Sequence, residues 1–496
     1  KIKCEQLRLF HTHNNDMVSG KKMKKSDNKR QLFKLAAVAG LLALAGCSDS
    51  ANEKAKEQAF QINQNPFPST YKPIASKSVL ITNATILDGV GGVFNDSSVL
   101  LQDGKIVAIG NDLSVPDDSV IIDAKGKWVT PGIIDVHSHL GVYPAPGGTA
   151  HSDGNEATNP VTAEVWAEHS IWPQDAGFQR ALAGGVTVMQ ILPGSANLVG
   201  GRGVTVKNLP GTTVQDMKFP DSPYGMKMAC GENPKRVYGK KGGPSTRMGN
   251  VAGYRQAWAD AQDYQRTWDK YYVDHELGKK DAKVPKRDLK LETLSLALKG
   301  DILVHMHCYR ADDMGTMLDV MKEFNYKIAA FHHAVESYKI ADQLAQAGVC
   351  SAMWADWWGF KFEAYDGIQE NIPMVHAAKA CAIVHSDSDL GIQRLNQEAA
   401  KAWANGRRAG IDISQAEAWQ WLSANPAKSL GIFEQTGSLE KGKNADVVIW
   451  SADPFSTYAQ AEHVYLDGAL IYDRHDPASW PVSDFELGQP GEGDSK

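Results

Sequence analysis

Val129-Thr-Pro-Gly-Ile-Ile-Asp-Val-His-Ser-His139 is the stretch that decides how this chain folds. Its core, Gly132 to His139, is a compact apolar run closed by two histidines one residue apart. The two-residue period of a strand places both imidazoles on one face, about 7 Å apart along the backbone, where they could chelate one ion. Seven similar runs follow: Gly185 to Ile191, Gly203 to Asn208, Tyr224 to Cys230, Ile302 to His307, Lys327 to His333, Gly348 to Trp354 and Cys381 to Asp387. Longer helical stretches separate them. Compact strands alternating with helices over about 300 residues predict an α/β fold, and eight of them predict a (β/α)8 TIM-type barrel.

Outside this region the texture changes to short β-rich runs. Val79 to Leu87, Ser98 to Gln102 and Lys105 to Ile109 come before it, with Asp88-Gly89 and Asp103-Gly104 as turns. Ala445 to Trp450, His463 to Leu466 and Ala469 to Tyr472 come after it, with Asp467-Gly468 as the hairpin signal. The two sets predict a small β-sandwich built from both chain ends, 78–130 and 435–475, around a barrel over 131–434. Residues 247–299 are charged and helix-prone and read as a helical insertion over the barrel mouth. Residues 48–77 are polar and read as a tether, and 476–496 as a C-terminal tail.

The basic stretch Lys21 to Lys34 runs into an apolar segment, Leu35 to Ala45, followed by Gly46-Cys47. The segment is too short to span a bilayer, and the order of regions is that of an export signal. Leu44-Ala45-Gly46-Cys47 resembles the lipobox of bacterial lipoproteins, which implies lipidation at Cys47. Ser48 then favours the outer membrane, so the expected location is periplasmic, lipid-anchored to a bacterial outer membrane. Residues 1–46 hold ten Lys/Arg against three Asp/Glu, a surplus of seven that leaves −13 of the overall −6 on the remainder. That balance argues against nucleic acid as a partner. Four of the six cysteines lie beyond the leader. Cys230 and Cys308 close two strands expected to be neighbours, so a bridge stays open, with buried free thiols favoured. A homo-oligomer stays open as well.

Three further strands end in candidate ligands: His305-Met-His307, Phe331-His332-His333 and His385-Ser-Asp387. A buried histidine bonded to a carbonyl is the ordinary explanation for any one of these. Four at four strand ends point instead to a metal site, because barrel strands converge on one mouth.

Val129 to His139 resembles the opening signature of the amidohydrolase superfamily, and imidazolonepropionase-like members most of all. The resemblance runs from about Ser78 to Asp473 and includes Asn425-Pro-Ala-Lys428 and Gly437 to Asp446. It implies metal ligands at His137, His139, His305, His333 and Asp387, plus a bridging ligand from the fourth strand. There Tyr224 to Glu232 offers two groups: Glu232, favoured because catalytic groups come from strand ends, or a carboxylated Lys227 in mid-strand. His307 shares a face with His305 and is read as a catalytic or substrate-contacting group. His332 is expected to point the other way, and His385 to play a structural part. Tyr309, Arg310 and Arg247 follow strand ends and could grip a substrate carboxylate. Trp357, within Trp354-Ala-Asp-Trp-Trp-Gly359, could wall the pocket.

The expected cofactor is one or two divalent ions, zinc suiting the mixed nitrogen and oxygen ligands. Metal-activated hydroxide would attack a small-molecule amide-type carbon–nitrogen bond, non-peptide or cyclic, with Asp387 as general base. Two alternatives stand beside it: a prolidase-like dipeptidase or N-acyl amino acid hydrolase, and an inactive metal- or solute-binding lipoprotein. The retained Asp387 speaks against the last.

Overall fold

Asp-Gly turns mark both halves of the first sheet. Asp103-Gly104 and Asp467-Gly468 carry positive φ at both positions, 52° and 76° in one and 46° and 77° in the other, as a tight hairpin turn demands. The computed structural model describes residues 58–480. The expected export signal, Cys47 and residues 481–496 lie outside the described residues. Five strands come first: β1 (Val79–Leu87), β2 (Val93–Gln102), β3 (Lys105–Gly110), β4 (Val120–Asp123) and β5 (Trp128–Pro131). Next are β6 (Ile133–Ser138), β7 (Val186–Ile191), β8 (Val199–Lys207), β9 (Tyr224–Ala229), β10 (Ile302–His307), β11 (Ile328–His332), β12 (Cys350–Met353) and β13 (Ala382–Val384). Last come β14 (Val447–Trp450), β15 (Ala461–Leu466) and β16 (Ala469–Asp473). One sheet has the order β16-β15-β14-β5-β1-β2-β3, with β4 beside β1, so strands far apart in sequence meet where β14 pairs antiparallel to β5.

The other sheet runs β13-β12-β11-β10-β9-β8-β7-β6. Its strands β6, β7 and β8 are buried along their whole length, as expected when both faces are covered. One expectation needs correction here: the strands are not all parallel. β8 runs antiparallel to both β7 and β9. Only residues 192–198 join β7 to β8, too few for the crossover that a parallel neighbour needs. The reversal carries the C-terminal end of β8 away from the histidine-bearing strand ends. Lys207, its last residue, is buried with its Nζ 2.6 Å from Asp467 and 3.5 Å from Asp446. Because removing one partner strands a buried charge, Lys207→Met should cost about 3–5 kcal/mol of unfolding free energy in a denaturant titration. A loss below about 1 kcal/mol would show that these acids are solvated or protonated instead.

The expected insertion is a 30-residue helix, Arg247–Glu276, followed by Leu289–Lys299, which leads into β10. Its N-terminal turns reach the histidine end, through Arg247 to Asp313 and Glu363, Asn250 to the Gly231 carbonyl and Tyr254 OH to the Ala229 carbonyl. Tyr254, Trp258, Trp268 and Tyr271 form a buried stripe that packs the rest along the flank. The segment expected to be a free tether is held down over its described part. Lys218 Nζ donates to the Phe67 carbonyl at 2.6 Å, Thr70 N–H to the Gln215 carbonyl at 2.9 Å, and Tyr71 OH to Asp467. The thiols expected to be free are bridged, Cys230 to Cys308 just past the ends of β9 and β10 and Cys350 to Cys381 at the starts of β12 and β13, because adjacent strands hold the Cα atoms 5.3 and 4.4 Å apart.

Candidate metal centre

No ladder joins β13 to β6 among the described residues, and the seam is bridged by the motif residues themselves. Asp387 N–H donates to the His137 carbonyl at 3.0 Å. Ser386 donates to Asp135 through both its N–H and its hydroxyl. Burial pushes the Asp135 carboxyl up to about 7, against the pull of these bonds. Strand-eight chemistry is thereby fixed against strand one.

Inside this seam the side chains converge. His137 Nε2 lies 3.2 Å from His139 Nε2, 3.0 Å from Lys227 Nζ and 3.5 Å from Asp387 Oδ1, which is itself 3.2 Å from His139 Nε2. His139 Nδ1 faces the Leu192 carbonyl at 2.8 Å. A carbonyl only accepts, so that nitrogen carries the proton and Nε2 presents a bare lone pair. By the same reasoning His385 bonds the Met353 carbonyl through Nδ1 and points its Nε2 lone pair at His333 Nδ1, 2.8 Å away. The ligand atoms of His137, His139 and Asp387 lie within 4.8 Å of one another, and so do those of His137, His333 and His385. Two buried nitrogens, His305 Nε2 and His307 Nδ1, have no hydrogen-bond partner among the described residues. Lone pairs and a carboxylate crowded without protons to share repel one another, and a divalent cation resolves that repulsion. The residues fit a metal.

The electrostatics agree. Burial, and then the Lys227 charge, hold His137 and His307 well below the ordinary imidazole range and take His305 down to about 3. Burial, with neighbouring imidazoles, does the same to His332 and His333, and takes His385 down to about 4. All are neutral ligands at physiological pH. Burial alone would raise Asp387, yet its polar neighbours His139 and His385 and the Lys227 amine leave it below the usual carboxylate value. Lys227 is lowered by burial to about 7, leaving a good share of free amine.

Four expectations change. Glu232 does not join the cluster: Gly231 adopts a left-handed φ of 74° that turns the chain into the helix Glu232–Tyr238, whose first N–H donates to Glu363 at 2.8 Å. Lys227, opposite His305 in the ladder, stands beside His137 instead. His332 points inward, Nδ1 2.9 Å from His137 and Nε2 2.9 Å from His305, because it shares the parity of the interior residue Ala330; the left-handed φ of 58° at His333 breaks the alternation one residue later, so that His333 faces inward as well. His385 faces His333 and is a candidate ligand rather than packing. Arg247 and Arg310 hold no free guanidinium for a substrate: the first pairs with Asp313 and Glu363, the second with Asp312.

Other expected groups do line the approach. The Tyr309 ring packs 4.5 Å from His307, and His307 lies 4.9 Å from His333. Trp354 stacks on His333 at 4.6 Å, and Trp357 and Phe360 continue outward at 4.8 and 5.9 Å. Lys361 and Asn233 were missed. Asn233 Nδ2 lies 3.2 Å from His307 Nε2, and Lys361 Nζ reaches Asn233 Oδ1 and Tyr309 OH at 3.0 Å each. The only signal in the sequence was a lysine set among the aromatic residues after predicted strand seven.

A profile of the amidohydrolase family matches residues 128–471. The chain belongs to that family. This amidohydrolase is 34% identical over 406 residues to the amidohydrolase tasK of Hapsidospora irregularis, covering 78% of this chain and only 41% of that protein. It is 25% identical over 420 residues to the imidazolonepropionase of Agrobacterium fabrum, covering 78% of this chain and 91% of that one. A solved amidohydrolase from Thermotoga maritima MSB8 shares 36% identity with a TM-score of 0.73, over 80% of this chain and 100% of that one. The likeness implies a TIM-type barrel for the β6–β13 set, with β8 reversed.

Proposed function

We propose that this amidohydrolase is a metal-dependent hydrolase of carbon–nitrogen bonds, amide-type, in a small molecule. The convergence of unprotonated imidazole nitrogens, Lys227 and Asp387 at the β6–β13 seam carries this reading. His137, His139, Lys227 and Asp387 would hold one divalent ion, and His333 with His307 or His385 a second. The neutral fraction of the Lys227 amine can take up carbon dioxide, releasing a proton and gaining a carboxylate able to serve both ions. When bound, a divalent cation supplies the Lewis acidity that polarises a carbonyl and lowers the pKa of water toward neutrality. Zinc suits this mixed donor set.

The chain's own groups do the rest. Asp387, with side-chain exposure of 24%, faces the opening and takes the proton of the attacking water, then passes it to the leaving nitrogen. The bond from its N–H to the His137 carbonyl fixes its position. His307 touches substrate, while Trp354, held by its Nε1–H to the Ser386 carbonyl at 3.1 Å, keeps water from the inner wall. The reading of an inactive binding protein has less support, since binding needs no acid so placed.

We further propose that the enzyme is exported and lipid-anchored at Cys47. Two disulfides among the described residues support an oxidising compartment. The test is a panel of lactams, hydantoins, N-acyl amino acids and dipeptides, assayed for amine release with and without added zinc. Metal-dependent release from at least one class is expected; no release from any, by protein shown to carry metal, overturns the function.

A further inference from the structure

Three cations near the site end of this protein are neutralised. Arg247, Arg310 and Lys339 each contact a carboxylate. Lys361 does not. Its half-buried ammonium donates only to two neutral oxygens, Asn233 Oδ1 and Tyr309 OH, each at 3.0 Å. The carboxylates of Glu232, Asp387 and Glu363 act on it through space, and none forms an ion pair with it among the described residues. Withdrawing an ammonium from water without a counter-ion is costly, and burial lowers its pKa accordingly.

Its two partners both lead to the metal centre. Asn233 turns its amide nitrogen to His307 Nε2, and the Tyr309 ring packs against His307. The ammonium is thus one side chain removed from the cluster by two separate routes. Around it stand Tyr309 and Phe360, whose centroids lie 5.0 and 5.6 Å from Nζ, and Phe360 continues to Trp357. Trp357 and Phe360 are 43% and 46% exposed, large apolar surface left open at an approach to polar chemistry.

We propose that Lys361, with Tyr309 OH, is the anchor for a substrate carboxylate, and that the substrate joins this carboxylate to an apolar group resting on Trp357 and Phe360. An amide whose leaving amine bears a free carboxylate, such as an N-acyl amino acid or a dipeptide, has this chemistry. The inference rests on the amide-hydrolase reading for its orientation, but the anchor itself can be tested without turnover. Lys361 is a binding residue here: it fixes the anion, and Asn233 transmits its position to His307.

The experiment is calorimetric titration of the zinc-supplied full chain with 3-phenylpropanoate and with 3-phenylpropanol, neither of which contains an amide. Wild type should bind the carboxylate about tenfold or more tightly than the alcohol, the scale of one charge-assisted contact. Lys361→Met should erase that preference while leaving alcohol affinity unchanged, which also reports an intact fold, and Lys361→Arg should retain part of it. An undiminished preference in Lys361→Met would place the anion elsewhere, such as on the metal, and overturn the proposal. Equal binding of both probes by wild type would overturn it too. Failure of the amide panel with a Lys361-dependent preference intact would instead sink the hydrolase reading and keep the anchor.

Discussion

Asp387→Asn should lower kcat by about 10²–10⁴-fold, the range for loss of a positioned general base. The substitution removes proton affinity and little else. Its N–H bond to the His137 carbonyl is a backbone contact that asparagine keeps. The left-handed φ of 52° at this position is one that asparagine also tolerates. A carboxamide oxygen can still face His139, so bound metal should stay near the wild-type content. Steady-state kinetics beside elemental analysis separates the two effects. Near-normal turnover would remove Asp387 from its role, whereas loss of metal together with activity would make it a ligand only.

Lys227→Met should lose most of the bound metal and reduce kcat/KM by two or more orders of magnitude, as removal of a shared ligand would. Glu232→Gln should stay within about threefold of wild type, as for a rim charge outside the reacting site. Lys227 Nζ is 3.0 Å from His137, whereas Glu232 opens a helix and gives its N–H to Glu363. Replacing a fully buried amine by an apolar side chain of similar length removes a desolvation cost, so Tm should not fall when both proteins are compared metal-free. An unchanged Tm therefore assigns the activity loss to the site rather than to unfolding. Metal retained in Lys227→Met and lost in Glu232→Gln would restore the strand-end carboxylate as the bridge.

Much of this was legible beforehand, because burial on both faces writes itself as short apolar runs, and the strand-end histidines follow those runs directly. The family resemblance added an order of ligands, and His137, His139, His333 and Asp387 do meet. What the sequence could not convey were facts of geometry. The direction of β8 depends on the tight connection over 192–198, which looks like any Gly-Pro loop. That His332 and His333 both face inward depends on a left-handed residue, His333, that is not glycine. The choice of Lys227 over Glu232 depends on ladder register and on where Gly231 turns the chain. Arg310 differs from these, since its partner Asp312 stands two residues away in the sequence and the contact between them is local. Lys361 is the converse, since its lack of an ionic partner is visible only once every neighbour is in place.

Elemental analysis of the purified full chain, with His137→Ala/His139→Ala beside it, tests the central claim most directly. About one to two equivalents of a divalent metal in wild type, lost from the double variant, are expected. Wild-type protein that proves metal-free and stays inert after zinc, manganese or cobalt is supplied would contradict the account.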